Sequence, residues 1–148
     1  MKMTVTIRTN EDEEILLFVH SLDSPVISML QPLADLKPAF FTDENGRKVK
    51  VAIPDILYFE AVDKKTFVYL NDAVYETPDR LYQIEEKYQR FDFCRVSKSV
   101  VLNLKKIAKI YPVFSGKFEV LLDNEEKLSI SRSYVKALKQ QLAKGGHA

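Results

Sequence analysis

The chain has one cysteine, Cys94, in 148 residues, so no internal disulfide can staple the fold. A reducing, cytoplasmic setting is the matching expectation. Tryptophan is absent and histidine occurs only twice. His147 sits in a terminal stretch with Gly145-Gly146. His20 has no Cys, His or carboxylate at ligand spacing, so no metal site is expected. The four glycines are isolated or terminal, which excludes a Gly-rich phosphate loop. Serines are plentiful, but none lies in a Gly-x-Ser-x-Gly elbow or near an activating His. Glu13-Glu14, Glu85-Glu86 and Glu125-Glu126 are adjacent in sequence, so their carboxylates diverge and suit solvated faces. No catalytic residue and no cofactor is expected. No apolar run approaches the roughly 20 residues that span a bilayer. The opening Met1-Lys2-Met3-Thr4-Val5 lacks the apolar block of a signal peptide.

What remains is an ordinary globular composition, 46% apolar and 29% charged, with enough length for a real core. The net charge of +1 conceals an asymmetry. Residues 1–45 hold three basic and eight acidic side chains, while the rest hold 19 basic and 13 acidic. An acidic appendage beside a basic binding domain fits that distribution.

Apolar periodicity divides the chain. Thr4–Arg8 and Ile15–Val19 suit short strands. Ser24-Pro25 suits a helix start, with Val26, Ile27, Leu30, Leu33 and Leu36 on the apolar face and Pro32 as a break. Residues 1–38 are therefore expected to form a β-β-α regulatory or dimerisation segment. Residues 39–142 carry mainly β texture with short helices, an α+β domain, and residues 143–148 suit a flexible tail. Asn45-Gly46 marks a hairpin turn. Strands are expected at 56–61, 66–70, 73–76, 91–96 and 108–113, with a hairpin around 123–126. Residues 102–107 fit either a short helix or a strand. Thr77-Pro78 predicts the start of a helix with Leu81, Ile84 and Tyr88 as its apolar stripe. Ser131 or Ser133 caps a closing helix carrying Val135, Leu138 and Leu142. Cys94 suits a small core hydrophobe.

Three polar clusters fall where expected strands end. They are Asp63-Lys64-Lys65-Thr66, then Ser97-Lys98-Ser99 with Asn103 after it, then Ser129–Ser133 with Arg132. Loops held by a rigid sheet are where binding residues gather. Lys and Arg can neutralise phosphates or reach base edges, and Ser and Thr hydroxyls can fix register. The helix start near Ser133 is itself favourable to anions. The clusters therefore point to double-stranded DNA as the partner.

Residues 40–142 resemble the LytTR DNA-binding domain of bacterial response regulators. The resemblance rests on Asp55-Ile56-Leu57-Tyr58-Phe59-Glu60, on Leu81 with Glu85-Glu86-Lys87, on Phe93 with Arg95-Val96-Ser97-Lys98-Ser99 through Asn103, and on Ile130-Ser131-Arg132-Ser133-Tyr134 leading to Leu138. The chain is most similar to stand-alone members, in which a short N-terminal segment replaces the receiver domain. The resemblance implies an elongated fold of small antiparallel sheets whose loops enter successive major grooves, with dimers on paired half-sites. It implies DNA contacts from Lys64, Lys65 and Thr66, from Ser97, Lys98 and Ser99, and from Arg132 and Ser133. Asn103 would be a structural polar residue, Lys98 the base reader, and Ser97 and Ser99 phosphate anchors. Ser97 stands where the family often has His, and Arg132-Ser133 where it has an Arg-Arg pair. Phosphorelay control within this polypeptide is not expected. The alternative class is a protein-interaction module, with residues 1–37 binding a regulatory partner and the β domain as scaffold. DNA selection from random sequence separates the two.

Overall fold

A computed structural model describes residues 4–8, 14–18 and 38–145. The chain divides into two compact units, residues 1–37 and 38–148. In the first, β1 (Thr4–Arg8) pairs antiparallel with β2 (Glu14–Phe18). The helix expected from Ser24-Pro25 lies outside the described residues.

The second unit is built on a seven-stranded antiparallel sheet. Its strands are β3 (Ala39–Thr42), β4 (Lys48–Val51), β5 (Tyr58–Val62), β6 (Lys65–Tyr69), β7 (Val74–Thr77), β8 (Phe93–Arg95) and β9 (Val100–Asn103), in the order β4-β3-β7-β6-β5-β9-β8. The β3-β4 ribbon joins the rest through a single residue pair, Thr42 opposite Glu76. A three-stranded antiparallel sheet follows, with β10 (Ile107–Pro112), β11 (Phe118–Leu122) and β12 (Lys127–Ile130) in that order. Two helices complete the unit, α1 (Leu81–Tyr88) and α2 (Arg132–Gly145). The mainly β class with short helices is the one expected.

Alternation along the central strands serves two cores at once, because successive side chains leave opposite faces of a strand. Phe59, Val68 and Val101 pack with Leu81, Ile84 and Tyr88 of α1. Tyr58, Val100 and Leu102 pack with Val120, Leu122 and Ile130 of the small sheet and with Leu138 of α2. The β5 and β9 strands are thus covered on both faces, which explains the unbroken apolar run Val100-Val101-Leu102. Phe59 anchors the first core, its ring 5.4 Å from that of Tyr88 and 5.7 Å from that of Phe93. In the second, the Tyr58 and Tyr69 rings stack at 4.5 Å, and Tyr58 donates its hydroxyl to Glu126 Oε1 at 2.7 Å.

Several local expectations change. Thr77 does not cap α1. It stays in β7, opposite Thr66, and its Oγ1 accepts the Asp79 N–H at 3.3 Å. The helix starts at Leu81 instead, with the Arg80 N–H donated to Gln83 Oε1 at 2.8 Å. The 102–107 stretch resolves into the end of β9 and a short 3-10 turn, Leu104–Lys106, which Asn103 caps by accepting the Lys105 N–H. The last helix follows directly on Ser131 and continues through Ala143–Gly145, residues assigned from sequence to a fraying tail. Gln141 Nε2 holds it to β8 through Phe93 O at 3.1 Å.

Candidate nucleic-acid interface

The first polar loop is the two-residue turn Asp63-Lys64 between β5 and β6, closed by Val62 opposite Lys65. Both turn residues have positive φ, 49° and 68°. That backbone matches the twist of a tight hairpin but strains a side chain other than Gly, by about 1 kcal/mol for Lys64. Lys64 and Lys65 are exposed at the tip. Thr66 is not: it is 5% exposed and faces Thr77 across the ladder. A contact from its hydroxyl to DNA, expected from sequence, does not fit that burial.

The second loop joins β8 to β9 and is held from within by Arg95. Its Nε donates to Ser97 O at 2.8 Å, Nη2 donates to Lys98 O, and Nη1 meets Glu85 Oε2 of α1 at 2.8 Å. A planar guanidinium can serve three acceptors at once because its donors form a fixed fork. Ser97 Oγ accepts the Ser99 N–H at 3.2 Å and lies 3.4 Å from Ser99 Oγ, so both hydroxyls help shape the turn. Of the triplet only Lys98 is exposed; Ser97 and Ser99 are half-buried. Asn103, 2% exposed, donates from Nδ2 to Ile56 O at 2.8 Å. It ties β9 to the turn before β5 and belongs to the scaffold, as expected.

The third loop precedes α2. Arg132 and Ser133 are exposed in the first turn of that helix. The Arg132 stem lies over the Phe114–Gly116 turn between β10 and β11, where a side chain on Gly116 would come within 3.2 Å of Arg132 Cδ. Phe114 at that turn is 96% exposed.

Two backbone hydrogen bonds bring the three loops together. Ala61 N–H donates to Ser99 O at 2.8 Å, which sets the second loop beside the end of β5 and its turn. Ser131 N–H donates to Val96 O at 3.0 Å, which sets the third loop beside the second. The exposed cations Lys64, Lys65, Lys98 and Arg132 therefore lie on loops fixed to one another by the main chain. Sequence reasoning missed the clamp. Glu85, read as solvated, is the anionic partner of Arg95, and Glu126, read likewise, accepts from Tyr58. Arg95 was visible in the motif; its partner ten residues earlier gave no local signal.

Among the described residues no group of His, Cys, Asp and Glu is placed to hold a metal ion. Cys94 is buried, and burial together with nearby Glu85 pushes its thiol up to about 11.

The model of the LytTr DNA-binding domain matches residues 46–143. The chain belongs to the LytTr DNA-binding domain family. The sensory transduction protein LytT of Enterococcus faecalis is 31% identical over 96 residues, covering 64% of this chain and 40% of that protein. The transcriptional regulatory protein YpdB of Escherichia coli K12 is 35% identical over 98 residues, covering 66% of this chain and 40% of that protein. The matched LytTr segment thus spans about two fifths of the length of these curated relatives. Among solved structures, the LytTr domain of a protein described as a methyl-accepting/DNA response regulator from Bacillus cereus superposes with a TM-score of 0.67 at 26% identity. It covers 72% of this chain and 96% of that one. No helix among the described residues is long and apolar enough to cross a membrane.

Proposed function

We propose that the protein is a sequence-specific transcriptional regulator whose three polar loops enter successive major grooves of double-stranded DNA. The observation that carries this reading is the main-chain linkage of the three loops, through Ala61–Ser99 and Val96–Ser131. Each loop then offers an exposed cation from a fixed position, which is what direct readout needs. Lys98 and Arg132 are the base-contacting residues in this reading. Lys64 and Lys65 contact DNA from the first loop, and Ser133, Ser97 and Ser99 fix the register on phosphates. Thr66, 5% exposed, is given no base contact in this reading. The protein acts as a dimer on paired half-sites in the cytoplasm, and residues 1–38 supply dimerisation or receive a regulatory protein partner.

DNA selection from a random pool with the purified chain tests the reading. An enriched, paired motif is expected. Lys98→Ala and Arg132→Ala are each expected to weaken binding to it by about 1–3 kcal/mol and to relax preference at one position per half-site. No enriched motif, or full affinity in both variants, refutes it.

A further inference from the structure

Beside the Asp63-Lys64 turn lies a recess lined by Lys48, Lys64, Lys65 and Arg80, with Thr42, Thr66 and Thr77 between them and Glu76 as its one carboxylate. We propose that this recess is a phosphodiester site that grips the DNA backbone next to the first loop, with Lys48 and Arg80 as phosphate ligands. The inference rests on the DNA-binding reading above and adds two residues that lie outside the three loops.

The charges in the recess are unevenly spent. Lys65 Nζ stands 3.7 Å from Glu76 Oε1, which offsets one cation. Two other nearby carboxylates are taken elsewhere: Asp43 pairs with Arg47 at 2.9 Å, and Asp79 with Lys87 at 3.4 Å; Asp63, exposed in the turn itself, adds one further negative charge beside Lys64. Among the described residues, Lys48, Lys64 and Arg80 have no carboxylate partner. Three cations converge on one concavity without a counter-ion, which is the electrostatic footprint of an anion site. Two of the three are also aimed by a hydrogen bond. Lys48 Nζ donates to Thr42 Oγ1 at 3.0 Å across the β3-β4 pair, and Arg80 Nη1 donates to Lys64 O at 3.4 Å. The Arg80 contact joins the recess to the strained turn itself. A compact tetrahedral oxyanion suits this chemistry, with ammonium and guanidinium donors around it. The DNA backbone supplies that group wherever the neighbouring loop meets a groove, and phosphate contacts of this kind set orientation rather than sequence.

The test measures affinity across a salt series for the full chain on its selected site and on a scrambled duplex. Lys48→Gln and Arg80→Gln are each expected to weaken both complexes by the same factor. Each should lower the slope of log affinity against log salt by about 0.9, the value for one phosphate contact in duplex DNA. Arg80→Lys should keep the slope. Lys106→Gln, at the Leu70–Ala73 turn on the opposite end of the β5-β6 hairpin, should leave it unchanged. Should Arg80→Gln melt early, Lys48→Gln, at an exposed position of β4, carries the test. Unchanged slopes in both recess variants overturn the site while leaving the DNA-binding reading standing. An equal loss in Lys106→Gln reduces the effect to overall charge and overturns it too. A loss confined to the selected sequence makes the recess a base reader, and saturable binding of inorganic phosphate with no change in DNA affinity makes it a free-anion site; either overturns the proposal. Failure of the wild-type chain to bind either duplex overturns both readings.

Discussion

Replacing Arg95 with alanine removes the fork that holds the second loop. Three acceptors lose their donor at once: Ser97 O, Lys98 O and Glu85 Oε2. Hydrogen bonds to a charged group contribute about 1.5–3 kcal/mol each when shielded. The Arg95 side chain is 21% exposed and Glu85 is 38% exposed, so water recovers part of that loss. A net destabilisation of about 1.5–3 kcal/mol follows. For a domain of this size it lowers the melting temperature by roughly 5–15 °C. Urea unfolding followed by circular dichroism measures the free energy directly. Glu85→Gln removes only the ion-pair arm and should cost less than about 1 kcal/mol. Arg95→Lys keeps the charge but cannot reach both carbonyls and the carboxylate, so it should fall between the two. DNA affinity should drop further than stability alone explains, because Lys98 loses its fixed position. An Arg95→Ala variant within about 0.5 kcal/mol of wild type would refute the clamp, since that is the spread of an ordinary surface substitution. Equal losses in Arg95→Ala and Glu85→Gln would refute the part assigned to the loop carbonyls.

Asn103→Ala should destabilise the domain by about 1–3 kcal/mol, because Ile56 O and the Lys105 N–H lose their partner in a buried setting. Asn103→Asp should be worse, since an acceptor then faces the Ile56 carbonyl; urea midpoints of the two variants give the order. Lys64→Gly should stabilise the fold by about 1 kcal/mol by relieving the positive φ, yet weaken binding to the selected DNA site. Paired unfolding and binding measurements test it, and a variant that gains stability without losing affinity removes Lys64 from the interface.

Much of the scaffold was legible because local patterns and the final packing agree. The stripe Leu81, Ile84 and Tyr88 is buried as its spacing requires. The hairpin turn at 45–46 puts Gly46 at a φ of 77°, the value that glycine favours. Failures cluster where distant partners decide. Thr66 follows two lysines in a turn and looks exposed, but the β6-β7 ladder sets it opposite Thr77 and leaves it 5% exposed. Thr77-Pro78 has the composition of a helix start, yet cross-strand pairing holds Thr77 in the sheet. Glu85 looks like half of a solvated acidic pair until α1 packs against β8 and brings Arg95 to it. The three polar clusters could be named from sequence. Their adjacency could not, because it depends on two main-chain bonds spanning 38 and 35 residues.

Those two bonds also suggest how binding specificity can vary without loss of the fold. The residues that shape the loops spend their polar groups inside them: Arg95 on carbonyls, Ser97 on the Ser99 amide, Asn103 on Ile56 and Lys105. The residues that face outward, Lys98 and Arg132, hold no position in that network through their side-chain charges. If they read DNA as proposed, substituting them alters what the surface recognises and leaves the loop backbones held by Arg95 and by the Ala61–Ser99 and Ser131–Val96 bonds. A mutation at a shaping residue should therefore lower stability and affinity together. A mutation at an outward residue should shift sequence preference at nearly constant stability. The two classes separate on a plot of unfolding free energy against DNA affinity, and a Lys98 variant that fell on the line of the Arg95 variants would show that reader and scaffold are not distinct in this domain.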